Sequence, residues 1–179
     1  IGVSDSMSPG SIQNLFMDDS PAFRVEFAGA MPEQSRLYWR GPVLWNYEDN
    51  TWTGSYLGRN IEAESRPEES AADWRYTVQM EPNEQHWLFA LDYPALVPQN
   101  TRITMDFQLL RSLPVVQLLQ YEMASDPDHV DSLQLKQTLR FMALDLPDDL
   151  NPKTRELVLS WRRDYPEDEE FIRHVLRYF

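Results

Sequence analysis

The 179 residues carry 29 acidic against 16 basic side chains, a formal net charge of −13, and no cysteine. Without cysteine the chain can build no disulfide framework, no cysteine-ligated zinc or iron–sulfur centre and no thiol nucleophile. The excess of acid argues against a binder of nucleic-acid phosphates, which draws on clustered positive charge. At 42% hydrophobic and 12% aromatic the composition is that of a globular chain with a core. No apolar run approaches the roughly 20 residues of a membrane helix, and no signal-peptide core opens the chain. Of the 16 basic residues all but Lys136 and Lys153 are Arg. Planar guanidiniums suit internal pairs with carboxylates, and a GC-rich codon preference explains the bias at least as well.

Residues 1–20 read as an irregular lead-in, with turn chemistry at Met7-Ser8-Pro9-Gly10-Ser11 and one short helical face from Ile12, Leu15 and Phe16. From Ala22 the period becomes two: Phe23, Val25 and Phe27 alternate with Arg24 and Glu26, the pattern of a half-buried strand. Leu37 to Arg40 and Val43 to Tyr47 make two short strands around Gly41-Pro42, and Glu48-Asp49-Asn50 forms a hairpin turn into Thr51-Trp52-Thr53. Residues 58–73, rich in Glu, form the most loop-like stretch. Trp74, Tyr76, Val78 and Met80 then alternate with polar neighbours, and Trp87 to Leu91 is a continuous apolar run suited to a strand covered on both faces. Ile103, Met105, Phe107 and Leu109 alternate again, and Val115 to Met123 reads as one more strand.

The spacing predicts a mainly β chain, an antiparallel β-sandwich-like domain of about seven or eight strands over residues 21–146. Leu133 to Leu144 is ambiguous between helix and strand. Over 147–179 the sequence predicts two α-helices. Asn151 is placed to cap the first, with Pro152 at its first position and Leu157, Val158 and Trp161 on one face. The second opens at Pro166 with four acidic residues at its positive end and an apolar stripe of Phe171, Ile172, Val175, Leu176 and Phe179. The stripe runs to the last residue without a cap, and the first residue is not Met, so the chain reads as a piece of a longer protein.

Chemistry-bearing motifs are scarce. His86, His129 and His174 stand apart, without a second histidine at ligand spacing. Asp126, Asp128 and Asp131 lack the glycine and closing glutamate of a calcium loop and read as a solvated acidic turn. There is no Gly-x-Ser-x-Gly elbow, no Ser-x-x-Lys and no glycine-rich phosphate loop, so no catalytic, cofactor-binding or metal-binding residue is singled out. Trp39, Trp45, Trp52, Trp74 and Trp87 could form an aromatic platform for a carbohydrate, although aromatics in strands are more often core or cross-strand pairs.

Several strings nevertheless resemble the TgpA-type bacterial transglutaminase-like proteins. They are Ser4 to Ile12, Ala22-Phe23-Arg24-Val25, Leu37-Tyr38-Trp39-Arg40-Gly41-Pro42-Val43-Leu44 with Thr51-Trp52, Trp87 to Asp92, and Asn151 to Arg155 with Trp161-Arg162. The resemblance implies an inner-membrane protein whose membrane helices precede a periplasmic region, with a β-rich N-terminal domain leading into a transglutaminase core that uses a Cys-His-Asp triad. Residues 147–179 would then begin that core, and no residue here matches the triad. The implied role is a non-catalytic periplasmic domain that positions the core or helps recognise an envelope substrate. Its partners would be its own transglutaminase core, the membrane helices and a cell-envelope protein or peptidoglycan, with no nucleic acid and no cofactor. The residues placed for such contacts are Trp39, Arg40, Trp45, Trp52, Trp161, Phe171, Val175 and Phe179. The alternative is an envelope binding module that presents an aromatic face on a β-sandwich.

Overall fold

The computed structural model describes residues 4–9, 21–131, 137–147 and 151–179, the side chains of Tyr56 and Leu57 apart. The short helical face expected at Ile12, Leu15 and Phe16 lies outside the described residues. The chain divides into two compact units, residues 1–145 and 146–179.

The first unit is mainly β with antiparallel pairing, as the sequence pattern predicts, but its strands are shorter and more numerous. Among the described residues there are eleven, gathered in three three-stranded sheets and one two-stranded sheet. Strand β1 (Ser6–Met7) pairs with β5 (Thr51–Thr53), which also pairs with β4 (Asn46–Glu48). The β4–β5 turn is Asp49-Asn50, with φ of 47° and 59° at the two residues, the left-handed pair that a two-residue hairpin needs to match strand twist. Across it, Tyr47 lies opposite Trp52 with ring centroids 4.8 Å apart.

The principal sheet has β2 (Phe23–Phe27), β6 (Trp74–Met80) and β11 (Leu119–Ser125), with β6 at its centre. Its register explains its burial. Val25, Val78 and Tyr121 form one cross-strand row and Phe27, Tyr76 and Met123 another, while Glu26, Thr77 and Glu122 point to the opposite face. One face is therefore core and the other solvated, the usual arrangement of an antiparallel sheet. Residues 115–118 precede β11 as a loop, so this strand begins later than the expected Val115.

Two other departures share a cause. The run Trp87 to Leu91 is wholly buried as expected, but it forms two strands, β7 (Trp87–Leu88) and β8 (Ala90–Leu91). β7 pairs with β10 (Leu109–Arg111), and β8 pairs with β3 (Trp39–Arg40), so the chain changes sheets at Phe89. The alternation at 103–109 is likewise not one strand but a hairpin of β9 (Thr101–Ile103) and β10, with Leu109 opposite Ile103. The Thr104 hydroxyl closes its loop by accepting the Gln108 N–H at 3.0 Å. Phe107, at φ 60°, turns the chain back. Within the stretch read as loop, Tyr56–Asn60 forms the short helix α1, Glu69–Ala71 makes a 3₁₀ turn, and Glu62 bridges Thr104. The ambiguous segment resolves, over its described part, into α2 (Gln137–Leu144).

Tyr76, Val78, Met80, Trp87, Leu88, Leu91, Leu109, Val115 and Met123 belong to one core cluster, with Phe23, Val25, Phe27 and Trp39 half-buried against it. Its polar interior is a closed circuit. The Leu91 N–H donates to the Tyr76 hydroxyl at 2.7 Å, Tyr76 and Ser125 hydroxyls share a 2.9 Å bond, and Ser125 donates to the Leu91 carbonyl at 2.7 Å. Because Ser125 gives its proton to the carbonyl, the Tyr76 proton goes to Ser125, and every group is satisfied. Tyr121 donates to the Phe89 carbonyl at 2.8 Å beside it. Together they tie β6 and β11 to Phe89 and Leu91 of the 87–91 run.

The second unit consists of α3 (Pro152–Asp164) and α4 (Asp168–Tyr178). Asn151 does precede α3, but its backbone is left-handed, φ 55° and ψ 56°, and its side chain makes no cap. The residue before a proline is pushed out of the right-handed helical region, and Asn is among the few that tolerate this alternative. Helix α4 starts at Asp168, two residues after Pro166. The helices meet through Trp161, whose ring contacts His174 at 4.9 Å and Tyr178 at 4.8 Å, and through Tyr165 stacked on His174.

Candidate functional site

The eight residues marked by sequence fall in two places. In the first unit, Gly41 lets β3 approach the core closely: a Cβ there would lie 2.9 Å from the Phe89 ring. Beside it, Arg40 grips Asp92 with two parallel bonds of 2.6 Å and donates a third, of 3.1 Å, to the Asp106 carbonyl. Both partners are about four-fifths covered, at 20% and 18% side-chain exposure. Burial pushes the Arg40 guanidinium down, the bond and charge of Asp92 push it up, and the sum lies above its ordinary value. In such a pair each charge replaces part of the water that the other has lost. Trp45 joins the same cluster by donating its indole N–H to Asp106 at 2.7 Å, and the Thr104 hydroxyl donates to the other Asp106 oxygen.

Arg40, Trp45 and Asp106 wall an open groove of about 330 Å³, with Tyr93, Phe107 and Leu139 in its apolar lining. Burial, then the Asp92 charge, raises the Tyr93 phenol above its ordinary pKa. Arg40 and Trp45 are thus brought together, while Trp39 and Trp52 are not part of the groove. Trp39 packs edge-on against Phe23 and Tyr76, and Trp52 lies on the Tyr47 ring of the hairpin. None of the six Trp is exposed. Sequence reasoning missed Asp92 and Asp106; among 29 acidic residues the only signal was the position of Asp92 at the end of the buried 87–91 run.

The other four residues lie in the second unit. Trp161 is an interhelical contact, and Phe171 carries the Arg162 guanidinium 4.0 Å above its ring. Val175 is half-buried, and Phe179 is 96% exposed. On the same helix Ile172 and Leu176 are 55% and 74% exposed.

The acidic turn read from sequence is rearranged. Asp73 joins Asp126 and Asp128, with ligand oxygens within 4.8 Å, and Asp131 is not in that group. Asp128 is already paired with Arg36 at 2.8 Å. Nothing in either unit offers a thiolate, and at the groove Arg40, Trp45 and Asp106 are bonded to one another. Among the described residues no helix is long and apolar enough to cross a membrane.

This is a β-rich chain with no cysteine to serve as a nucleophile. The model of the TgpA N-terminal domain matches residues 1–132, and the chain belongs to that family. A protein-glutamine gamma-glutamyltransferase of Pseudomonas aeruginosa is 33% identical over 185 aligned residues, covering 99% of this chain and 26% of that protein. Two crystal structures of the periplasmic domain of TgpA from Pseudomonas aeruginosa, one bound to ethylmercury, superpose with a TM-score of 0.84 at 32% identity. They cover 99% of this chain and 62% and 61% of theirs. The chain therefore spans about a quarter of the curated relative and about three-fifths of the crystallised periplasmic domain.

Proposed function

We propose that this chain is the non-catalytic, periplasmic N-terminal part of a transglutaminase-like inner-membrane protein, and that its helical unit positions the catalytic core. The observation that carries this reading is the apolar face of α4. Ile172, Leu176 and Phe179 are 55%, 74% and 96% exposed and continue the half-buried Phe171 and Val175. A helical face of that breadth is stable in water only when another surface covers it. In the whole protein the transglutaminase core is the cover, and Phe171, Val175 and Phe179 are its contacts. The core would supply a thiolate paired with histidine, which attacks a glutamine amide and passes the acyl group to an amine or to water. The alternative of an aromatic binding face has less support, because it needs a row of exposed Trp and none is exposed.

Amine incorporation tests the reading. The 179-residue chain alone is inactive, the whole protein is active, and Ile172→Glu with Leu176→Glu in the whole protein lowers activity while the β-rich unit stays folded. Activity in the chain alone, or full activity in the double variant, overturns it.

A further inference from the structure

Against a net charge of −13, one surface is basic. A groove of about 510 Å³ is lined by Arg59 of α1, Arg102 of β9 and Arg111 of β10, with His86, Asn100 and Thr101 among the other walls and no carboxylate on them. Among the described residues Arg102 and Arg111 have no carboxylate partner. Arg59 has only a long 3.6 Å pair with Asp5, and its Nε is buried without a hydrogen-bond partner. Its guanidinium is seated over Gly54, where a Cβ would lie 2.7 Å from its Nη2. The Thr101 and Ser112 hydroxyls donate to the Gln99 and Asn100 carbonyls, and each oxygen keeps lone pairs with which to accept.

Fixed guanidiniums suit a carboxylate or phosphate, and hydroxyl acceptors beside them suit a body that donates O–H groups. The volume holds a ligand of one or two sugar rings, within the roughly 300–1,000 Å³ usual for small-molecule sites. We propose that this groove binds an acidic saccharide, its oxyanion held by Arg59 and Arg102 and its ring hydroxyls by the Thr101 and Ser112 oxygens. Its lining contains no residue of α4, and it does not depend on the reading of that helix.

The test is an NMR titration of the 179-residue chain with glucuronate, glucose and inorganic phosphate. Glucuronate gives saturable shifts at the amides of Arg59, Arg102 and Arg111, glucose gives none, and phosphate competes at the same amides. Arg59→Gln and Arg102→Gln each weaken glucuronate binding about tenfold, the loss of one charge-assisted hydrogen bond. Gly54→Ala, which displaces the Arg59 guanidinium without removing its charge, weakens it too. Arg24→Gln, which removes a charge on β2, leaves it unchanged. The absence of saturable glucuronate shifts, equal binding of glucose, or unaltered affinity in both Arg59→Gln and Arg102→Gln overturns the proposal. Binding of phosphate alone overturns the saccharide assignment.

Discussion

The circuit through Tyr76, Ser125 and Leu91 makes a quantitative claim about what holds the β-rich unit together. Tyr76→Phe keeps the ring and deletes one oxygen. The Leu91 N–H, bonded to that oxygen at 2.7 Å, is then buried with no acceptor, and the 2.9 Å bond to Ser125 is lost. One orphaned buried donor plus one lost neutral bond sums to about 2–3 kcal/mol. Ser125→Ala strands the Leu91 carbonyl and the Tyr76 proton and costs about the same. The Tyr76–Ser125 bond is counted in both single losses, so the double variant falls short of their sum by about 1 kcal/mol. Denaturant unfolding followed by far-ultraviolet circular dichroism gives the three values, and amide exchange at Leu91 reads the orphaned donor directly. A loss under about 0.5 kcal/mol in either single variant, or strict additivity in the double, would refute the circuit, because water would then be replacing the hydroxyls.

The same tyrosine sets an alkaline limit. Burial raises the Tyr76 phenol from 10.0 to about 12, and burial pushes Tyr121 the same way. The folded state therefore holds protons that the unfolded state releases, so stability is level below about pH 10 and falls as the pH rises toward 12. Unfolding midpoints against pH, with phenolate absorbance, check this, and Tyr76→Phe shrinks the fall. Arg40→Met leaves the 18%-exposed Asp92 unpaired and costs about 2–4 kcal/mol, most of which Arg40→Met with Asp92→Leu recovers. A thermal melt of the double variant as low as that of the single contradicts this. Asn50→Ala strains the left-handed turn residue of the β4–β5 hairpin and costs about 1 kcal/mol, whereas Asn50→Gly costs less than half of that; equal costs by chemical denaturation count against the turn assignment.

Periodicity revealed those strands whose two faces differ. Phe23 to Phe27 and Trp74 to Met80 each have one solvated face, so polar residues mark every second position. It failed where both faces are covered or where the loop is itself apolar. Trp87 to Leu91 shows no alternation with which to reveal the change of sheet at Phe89, and Met105 and Phe107 carry the rhythm of a strand straight through a turn. The turn is specified instead by the Thr104 hydroxyl and the backbone of Phe107, which hydropathy does not record. The Arg40 groove was half legible: Arg40 in the Leu37 to Leu44 string and Trp45 just after it were marked, but choosing Asp92 and Asp106 required knowing which loops converge. In the helices the reverse held. The stripe from Phe171 to Phe179 was plain in sequence, and the structure added that it is largely uncovered.

The change of sheet at Phe89 also governs how the unit can assemble. β6 cannot complete its sheet until β2 and β11 both arrive, Val25 and Tyr121 meeting at Val78 from opposite directions along the chain. β8 waits for Trp39, and among the described residues only the 46–53 and 101–111 hairpins can close from neighbouring residues. Chains dominated by such distant pairings fold on the slow side of the millisecond-to-second range. Throughout that interval Trp-Leu-Phe-Ala-Leu is an uncharged, strand-forming pentapeptide with nothing over it, the kind of segment that seeds aggregation. The acidic surroundings then act as a kinetic safeguard, since a net charge of −13 keeps unfinished molecules apart while the last strands find their places.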